Sequence, residues 1–185
     1  MQLAPGLRSA AGTLPDAQTL ANDGQLASFS FGQGALTVTS LQITAMMNTV
    51  ANGGAYRAPA FVKGIADSTG AVAAPLEPSA PRTVCDAKTA KVLRSMLVSV
   101  VTEGIGAEAR PAAGMAGGKT GTAQTGQYDA NGEELLNYWF SGFYPAQAPR
   151  YTVTVLQDGI LKPELSSAAI FEKITEILHV WDAAL

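Results

Sequence analysis

Apolar positions along the chain follow two different periods, and the change of period marks the expected elements. Leu41, Ile43, Met46, Met47 and Val50 recur at helical spacing behind Thr39 and Ser40, either of which is a good N-cap, and the run stops at Gly53-Gly54. This pattern predicts a largely buried helix whose methionines fill core space. Asp86 caps a second helix, in which Ala90, Leu93, Met96, Leu97, Val100 and Val101 form one stripe that ends at Gly104 and should face a sheet. A third helix is expected from Pro163-Glu164 onward, with Ile170, Phe171, Ile174, Ile177, Leu178 and Trp181 as a broad apolar face that must bury itself. Between the last two helices the period shortens. Gly114 to Thr125, Tyr138 to Tyr144 and Tyr151 to Leu156 read as strands, separated by the turn-rich Tyr128–Gly132 and by Pro145–Pro149. They predict an antiparallel meander, and the fold class is α+β: a sheet of about three main strands packed with helices.

The remainder is less periodic. Residues 1 to 36 are rich in Gly, Ala, Pro and Ser and are expected to be irregular with short turns, Phe29 and Phe31 packing on the body and Gly32 and Gly34 allowing a tight path into the first helix. Ala58 to Val84 reads as a hairpin, with Phe61–Ile65 extended and Asp67–Gly70 turning, followed by a passage carrying Pro75, Pro78 and Pro81.

Composition narrows the function classes. A chain of 185 residues that is 47% apolar and 15% charged fits one globular domain, residues 1 to 185. A net charge of −3 with singly scattered cations gives no footprint for nucleic acid or anionic lipid. Cys85 and His179 are the only residues of their kinds, which rules out an internal disulfide and a Cys/His metal cluster; Cys85 reads as core filler and His179 as a cation near a helix C-terminus. No cofactor is indicated. No transmembrane run is visible, so this chain alone is expected to be soluble, and its first residues look like a domain cut open.

The chemistry is concentrated in Gly117-Gly118-Lys119-Thr120-Gly121-Thr122-Ala123. In an extended segment Lys119 shares one face with Gly121, and Thr120 shares the other with Thr122. An ammonium beside hydroxyls and accessible N–H groups can hold a carboxylate and stabilise a developing oxyanion, and Gly121 leaves the backbone open to a ligand. The stretch supplies no nucleophile.

Further passages occur with it in one order: Ser30-Phe31-Gly32-Gln33-Gly34, Thr37-Val38-Thr39-Ser40-Leu41-Gln42, Ala51-Asn52-Gly53-Gly54 and Gly104-Ile105-Gly106. Together with Lys119-Thr120-Gly121 they resemble the C-terminal part of penicillin-binding protein transpeptidase domains, class B type, from about Leu14 to the last helix. Enzymes of that family carry Ser-x-x-Lys, Ser-x-Asn and Lys-Thr-Gly. Only the third is present. The residues three before the six lysines are Ala60, Cys85, Lys88, Ala116, Gly159 and Ile170, none of them serine, and no asparagine has serine two before it.

The resemblance implies an incomplete penicillin-binding transpeptidase fold, the nucleophile-bearing N-terminal part lying outside this chain. It implies part of a peptidoglycan D,D-transpeptidase that cross-links stem peptides through an acyl-enzyme and binds β-lactams, in a parent on the extracytoplasmic face of the bacterial cell membrane. Lys119, Thr120, Gly121 and Thr122 would bind substrate, Lys119 would raise the local potential, and the Thr122 backbone N–H would be an oxyanion donor; the fragment alone would be inactive. A noncatalytic assembly module of the same fold, or a D,D-carboxypeptidase or β-lactamase relative, are the alternatives. The family's strand beside Tyr151–Leu156 is also missing, so this edge should be covered by residues 1 to 30 or by self-association through strand 151–156.

Overall fold

A computed structural model describes residues 10–62, 64–75 and 79–184. The N-terminal region is more regular than its composition suggests. Two short helices, α1 (Ala17–Leu20) and α2 (Asp23–Ser30), stand where irregular chain was expected. Neither buries a residue, so no apolar stripe announces them; they are held by caps. The Asp16 carboxylate accepts from the Thr19 N–H at 2.8 Å, and Asn22 Oδ1 accepts from Gly24 and Gln25. Phe31 is exposed rather than packed on the body, because it sits at the C-cap of α2 and points away from the domain, while Phe29 is half-buried.

Helix α3 (Ser40–Ala51) opens on a full capping box: the Thr39 hydroxyl accepts from the Gln42 N–H, and Gln42 Oε1 accepts from the Thr39 N–H at 2.8 Å. It is half-buried, not largely buried. Ala45, Met47, Thr49 and Ala51 face inward, and Met46 faces out. Two small antiparallel pairs follow. The strands β1 (Ala55–Tyr56), β2 (Gly64–Ala66), β3 (Val72–Pro75) and β4 (Arg82–Thr83) pair as β1 with β4 and β2 with β3. The β2–β3 pair is the expected hairpin, turned by Asp67, whose carboxylate accepts from the N–H groups of Thr69 and Ala71; Lys63 and Pro78 lie outside the described residues.

Helix α4 (Ala87–Thr102) starts at Asp86 as expected, but its inward stripe is rotated. Ala90 and Val101 are buried, and Leu97 and Val98 pack beside Met47 and Phe143. Leu93 and Met96, assigned to the sheet face, are exposed. Their place is taken by Arg94, whose guanidinium donates to the carbonyls of Ala146 (2.7 Å) and Gln147 (3.1 Å) and lies over the Phe143 ring.

The main sheet is the expected meander: β5 (Gly117–Tyr128), β6 (Glu134–Tyr144) and β7 (Tyr151–Ile160), antiparallel in the order β5-β6-β7. Register settles which side chains share a face, since residues directly opposite point the same way. Lys119 lies opposite Ser141, and Ser141 opposite Thr154; Thr120 lies opposite Phe140, and Phe140 opposite Val155. The first face receives α3 and α4. There the hydroxyls of Ser141, Thr154 and Thr44 are linked at 2.8 and 2.7 Å, ending on the Ser40 carbonyl. The second face receives α5 (Ser167–Ala183), with Phe171 fully buried against Phe140, ring centroids 4.7 Å apart, beside Tyr151, Val153 and Val155.

Helix α5 begins at Ser167, after Ser166, whose hydroxyl accepts from the Ala169 N–H; Pro163 and Glu164 stay in the preceding turn. Its apolar face is wider than the surface beneath it. Ala168, Phe171 and Thr175 are buried, but Ile177 and Trp181 are 69% and 62% exposed, against the expectation that the whole face would be covered. Among the described residues β7 is the last strand of the sheet, so the outer flank of α5 has no strand below it, and residues 10 to 30 do not pair with that edge.

Candidate functional site at the outer edge of the sheet

Strand β5 begins buried and emerges at its lysine. Gly117 and Gly118 are buried because the Phe143 ring lies beneath the first and the Phe140 ring beneath the second; a Cβ at either position would come within 2.4 and 2.5 Å of those rings. The two glycines let the strand press directly onto the aromatic core from both faces. From Lys119 onward β5 is at the surface, Lys119 and Thr122 exposed, Thr120 and Gly121 half-buried. Lys119 and Gly121 share the face of Ser141 and Trp139, as the alternation expected; a Cβ at Gly121 would meet only Trp139, its Cβ at 3.4 Å and its Cγ at 3.9 Å.

In an antiparallel ladder the N–H and C=O of one residue point to the same side, and successive residues alternate. Two contacts show which residues of β5 point away from β6. Lys119 Nζ donates to the Thr120 carbonyl at 2.8 Å, and Gln33 Nε2 donates to the Thr122 carbonyl at 3.2 Å. Thr120 and Thr122 therefore direct their backbone groups outward, and the Thr122 N–H projects from the same edge as its carbonyl. No strand pairs with this edge among the described residues. The site thus combines an exposed ammonium, outward N–H donors and a threonine hydroxyl. It can hold an anion or pair with an extended ligand.

Lys119 is not neutralised by an acid: the one ion pair among the described residues joins Arg150 to Asp182 at 2.9 Å. Acid groups reach β5 only at its far end, where the two Glu134 carboxylate oxygens accept from Gln124 Nε2 and from the Gly126 N–H. The two lone residue types stand apart from the site. Cys85 is partly exposed next to Gly54, and His179 Nδ1 lies 3.0 Å from the Tyr144 hydroxyl. Tyr144 also donates to the Ala113 carbonyl at 3.0 Å. Burial, with the Asp182 charge second, pushes the Tyr144 hydroxyl above its ordinary value.

Sequence reasoning gathered Lys119, Thr120, Gly121 and Thr122 because they are contiguous, and it missed Gln33. The signal was present: Gln33 stands between two glycines in the Phe31–Gly34 passage. Gly32 adopts φ +83°, and the N–H groups of Gly32 and Gln33 bond back to the carbonyls of Phe29 (3.0 Å) and Ser28 (2.9 Å). This is a Schellman ending for α2, and it fixes the backbone from which Gln33 reaches β5.

The family model of the penicillin-binding protein transpeptidase domain matches residues 7–176. Penicillin-binding protein PbpB of Mycolicibacterium smegmatis is 35% identical over 161 residues, covering 80% of this chain and 24% of that protein. Stage V sporulation protein D of Bacillus subtilis is 37% identical over 136 residues, 71% of this chain and 20% of the relative. The chain therefore spans about a quarter or less of the length of these relatives. Among solved structures, penicillin binding protein 3 of Mycobacterium tuberculosis superposes in its apo form with a TM-score of 0.80 at 28% identity, over 94% of this chain and 42% of that one. The same protein has been solved in complex with aztreonam and with ampicillin, at TM-scores of 0.78 and 29% identity, over 94% of this chain and 41% of those. With a family model over most of its length and relatives above 30% identity, the chain belongs to the penicillin-binding protein transpeptidase family.

Proposed function

We propose that this chain is the C-terminal part of a peptidoglycan D,D-transpeptidase domain and that the outer edge of β5 is its substrate-binding edge. In this reading Lys119 and the Thr120 and Thr122 hydroxyls receive the carboxylate of a stem peptide or β-lactam, and Gly121 keeps the approach open. The Thr122 N–H is one donor to the developing oxyanion. The nucleophilic serine and its lysine belong to a part of the domain outside this chain, which is the serine-type acyltransferase only when that part is present. The parent acts on the outer side of the cell membrane; no described helix is long and apolar enough to cross a membrane. The carrying observation is the outward Thr122 N–H beside an ammonium that no carboxylate among the described residues neutralises.

The test separates binding from chemistry. A fluorescent penicillin should leave no label stable to denaturing electrophoresis, and a stoichiometric adduct on any serine would overturn the assignment of the nucleophile elsewhere. In a titration of the isotopically labelled protein with diacetyl-L-lysyl-D-alanyl-D-alanine, shifts should centre on Thr120 to Gln124. Lys119→Ala should weaken binding at least about tenfold, as the loss of a charge-assisted hydrogen bond does. Equal binding by Lys119→Ala would refute the site.

A second contact rests on the other edge of the sheet. Strand β7 has no partner beyond β6 among the described residues, and no proline or lysine interrupts Tyr151–Leu156. We propose that two copies associate through this strand across a two-fold axis. Sedimentation that gives a monomer mass at every concentration would refute it.

A further inference from the structure

The contact between Gln33 and Thr122 joins residues 89 apart in the chain and falls on the one carbonyl of β5 that stands beside the candidate oxyanion donor. An extended ligand laid along β5 would use both backbone groups of Thr122: its carbonyl oxygen would contact the N–H, and its own amide N–H would seek the Thr122 carbonyl. That carbonyl is already occupied by Gln33 Nε2. The neighbouring outward carbonyl, Thr120, is likewise occupied by Lys119 Nζ. The outward acceptors of Thr120 and Thr122 are thus both capped by side chains of this chain, leaving this stretch of the edge rich in donors and poor in acceptors.

Taking β5 as the ligand edge, we propose that Gln33 is a specificity-determining residue that competes with the backbone N–H of an extended peptide for the Thr122 carbonyl. Its backbone does not need to move. The Schellman ending of α2 holds the main chain of Gly32 and Gln33 through two hydrogen bonds that the side chain does not share, so release of Thr122 is a rotation of the Gln33 side chain alone. A ligand that offers an amide N–H at this position recovers the lost hydrogen bond when it displaces Gln33. A ligand with a carboxylate but no such N–H leaves Gln33 in place and gains nothing from its removal. Gln33 therefore sets how much an acylamino group contributes to recognition, whereas Lys119 sets how much the carboxylate contributes.

The experiment uses the whole chain with two substitutions, Gln33→Met, which keeps the length and removes the donor, and Gln33→Asn, which falls short of Thr122. The probe is diacetyl-L-lysyl-D-alanyl-D-alanine, titrated by the amide shift of Thr122. Both variants should bind about two- to tenfold more tightly than the parent, the range that follows from freeing one carbonyl from a competing hydrogen bond. Melting temperature should fall only slightly, by about 1–6 °C, because both variants lose the one hydrogen bond to Thr122 while the main-chain bonds of the α2 ending remain. Acetate, which lacks the amide N–H, should bind all three proteins alike. In the parent, the Gln33 side-chain amide resonances should shift as the peptide saturates. Equal or weaker peptide binding by both variants, with the parent still binding, overturns the role of Gln33 and leaves the ligand edge standing. No saturable shift in any of the three proteins overturns the ligand edge and the competition with it.

Discussion

The placement of Lys119 depends on two glycines beneath which the aromatic core is pressed, and this can be broken by one methyl group. An alanine at position 118 would put its Cβ 2.5 Å from Phe140 Cζ, 2.6 Å from Phe140 Cε1 and 2.8 Å from the Ser141 carbonyl oxygen. All three fall below any real Cβ contact. The ring cannot turn aside, because Phe140 is fully buried with Phe171 packed against it, and the carbonyl belongs to the strand that pairs with β5. Either β5 lifts by the order of an ångström or the core reorganises. Overpacking of this kind costs about 1–3 kcal/mol, which in a domain of this size lowers the melting temperature by about 2–12 °C. Gly121→Ala is the control on the same strand: its nearest contact would be Trp139 Cβ at an ordinary 3.4 Å, so the melting temperature should hold or rise slightly as the unfolded chain loses freedom. Its peptide affinity should nevertheless fall, because the new methyl stands on the Lys119 face. Thermal denaturation of both variants, followed by circular dichroism, decides the matter. If Gly118→Ala and Gly121→Ala melt within about 1 °C of each other, the packing account of how β5 is positioned is wrong.

Thr39→Ala should remove the hydroxyl half of the α3 capping box and cost about 1 kcal/mol in chemical denaturation, with little change at β5. The Asp86 carboxyl is held below its ordinary value, first by the Thr89 N–H and then by the Thr89 hydroxyl. Because its folded pKa lies below the unfolded one, this contribution is complete above the unfolded carboxylate pKa and disappears as pH falls through the folded one. Asp86→Asn, which still caps but does not titrate there, should flatten the acid arm of the stability profile, measured by denaturant midpoint against pH; an unchanged acid arm would count against the cap.

The meander was legible because its aromatic and β-branched runs are bounded by turn residues, yet its outer ends were not. Strand β6 starts at Glu134 and β7 continues to Ile160, with Tyr138 paired to Gln157 and, past a register shift, Leu136 to Ile160; Asn137, Gln157 and Asp158 interrupt the apolar pattern there, so patterning stops short of the end of the ladder. Helix α2 was invisible for a related reason. It buries nothing, and its stability comes from Asn22 at one end and the glycine ending at the other, features that a search for periodicity passes over. The stripes of α4 and α5 were read too widely: Leu93, Met96, Ile177 and Trp181 satisfy helical spacing, but Arg94 covers the Phe143 ring in one case and the sheet has run out in the other. At the site, Lys119 to Thr122 could be read because they are consecutive. For Gln33 the flanking glycines mark a helix ending, but its partner is not legible, since the contact depends on that ending, 89 residues away, being folded against β5.

The two free edges of this sheet are not equivalent, and the difference is electrostatic as well as topological. Along β5 the outward carbonyls of Thr120 and Thr122 are covered by Lys119 and Gln33, which leaves the outward N–H dipoles and one ammonium to dominate the local field. This field is local. The chain as a whole carries a charge of −3, which gives an anion no long-range attraction, so the recognition proposed for this edge rests on short-range donors that act once a ligand lies along the strand. The same covering of acceptors discourages pairing with an arbitrary strand, because a partner would find donors without matching acceptors. The β7 edge has no comparable guard: Tyr151, Val153 and Val155 face α5, Thr152 and Thr154 face α3, and nothing among the described residues caps the outer backbone. An edge that presents donors with two of its acceptors covered suits a carboxylate-bearing ligand, and an uncapped edge beside the exposed Ile177 and Trp181 suits contact with more protein.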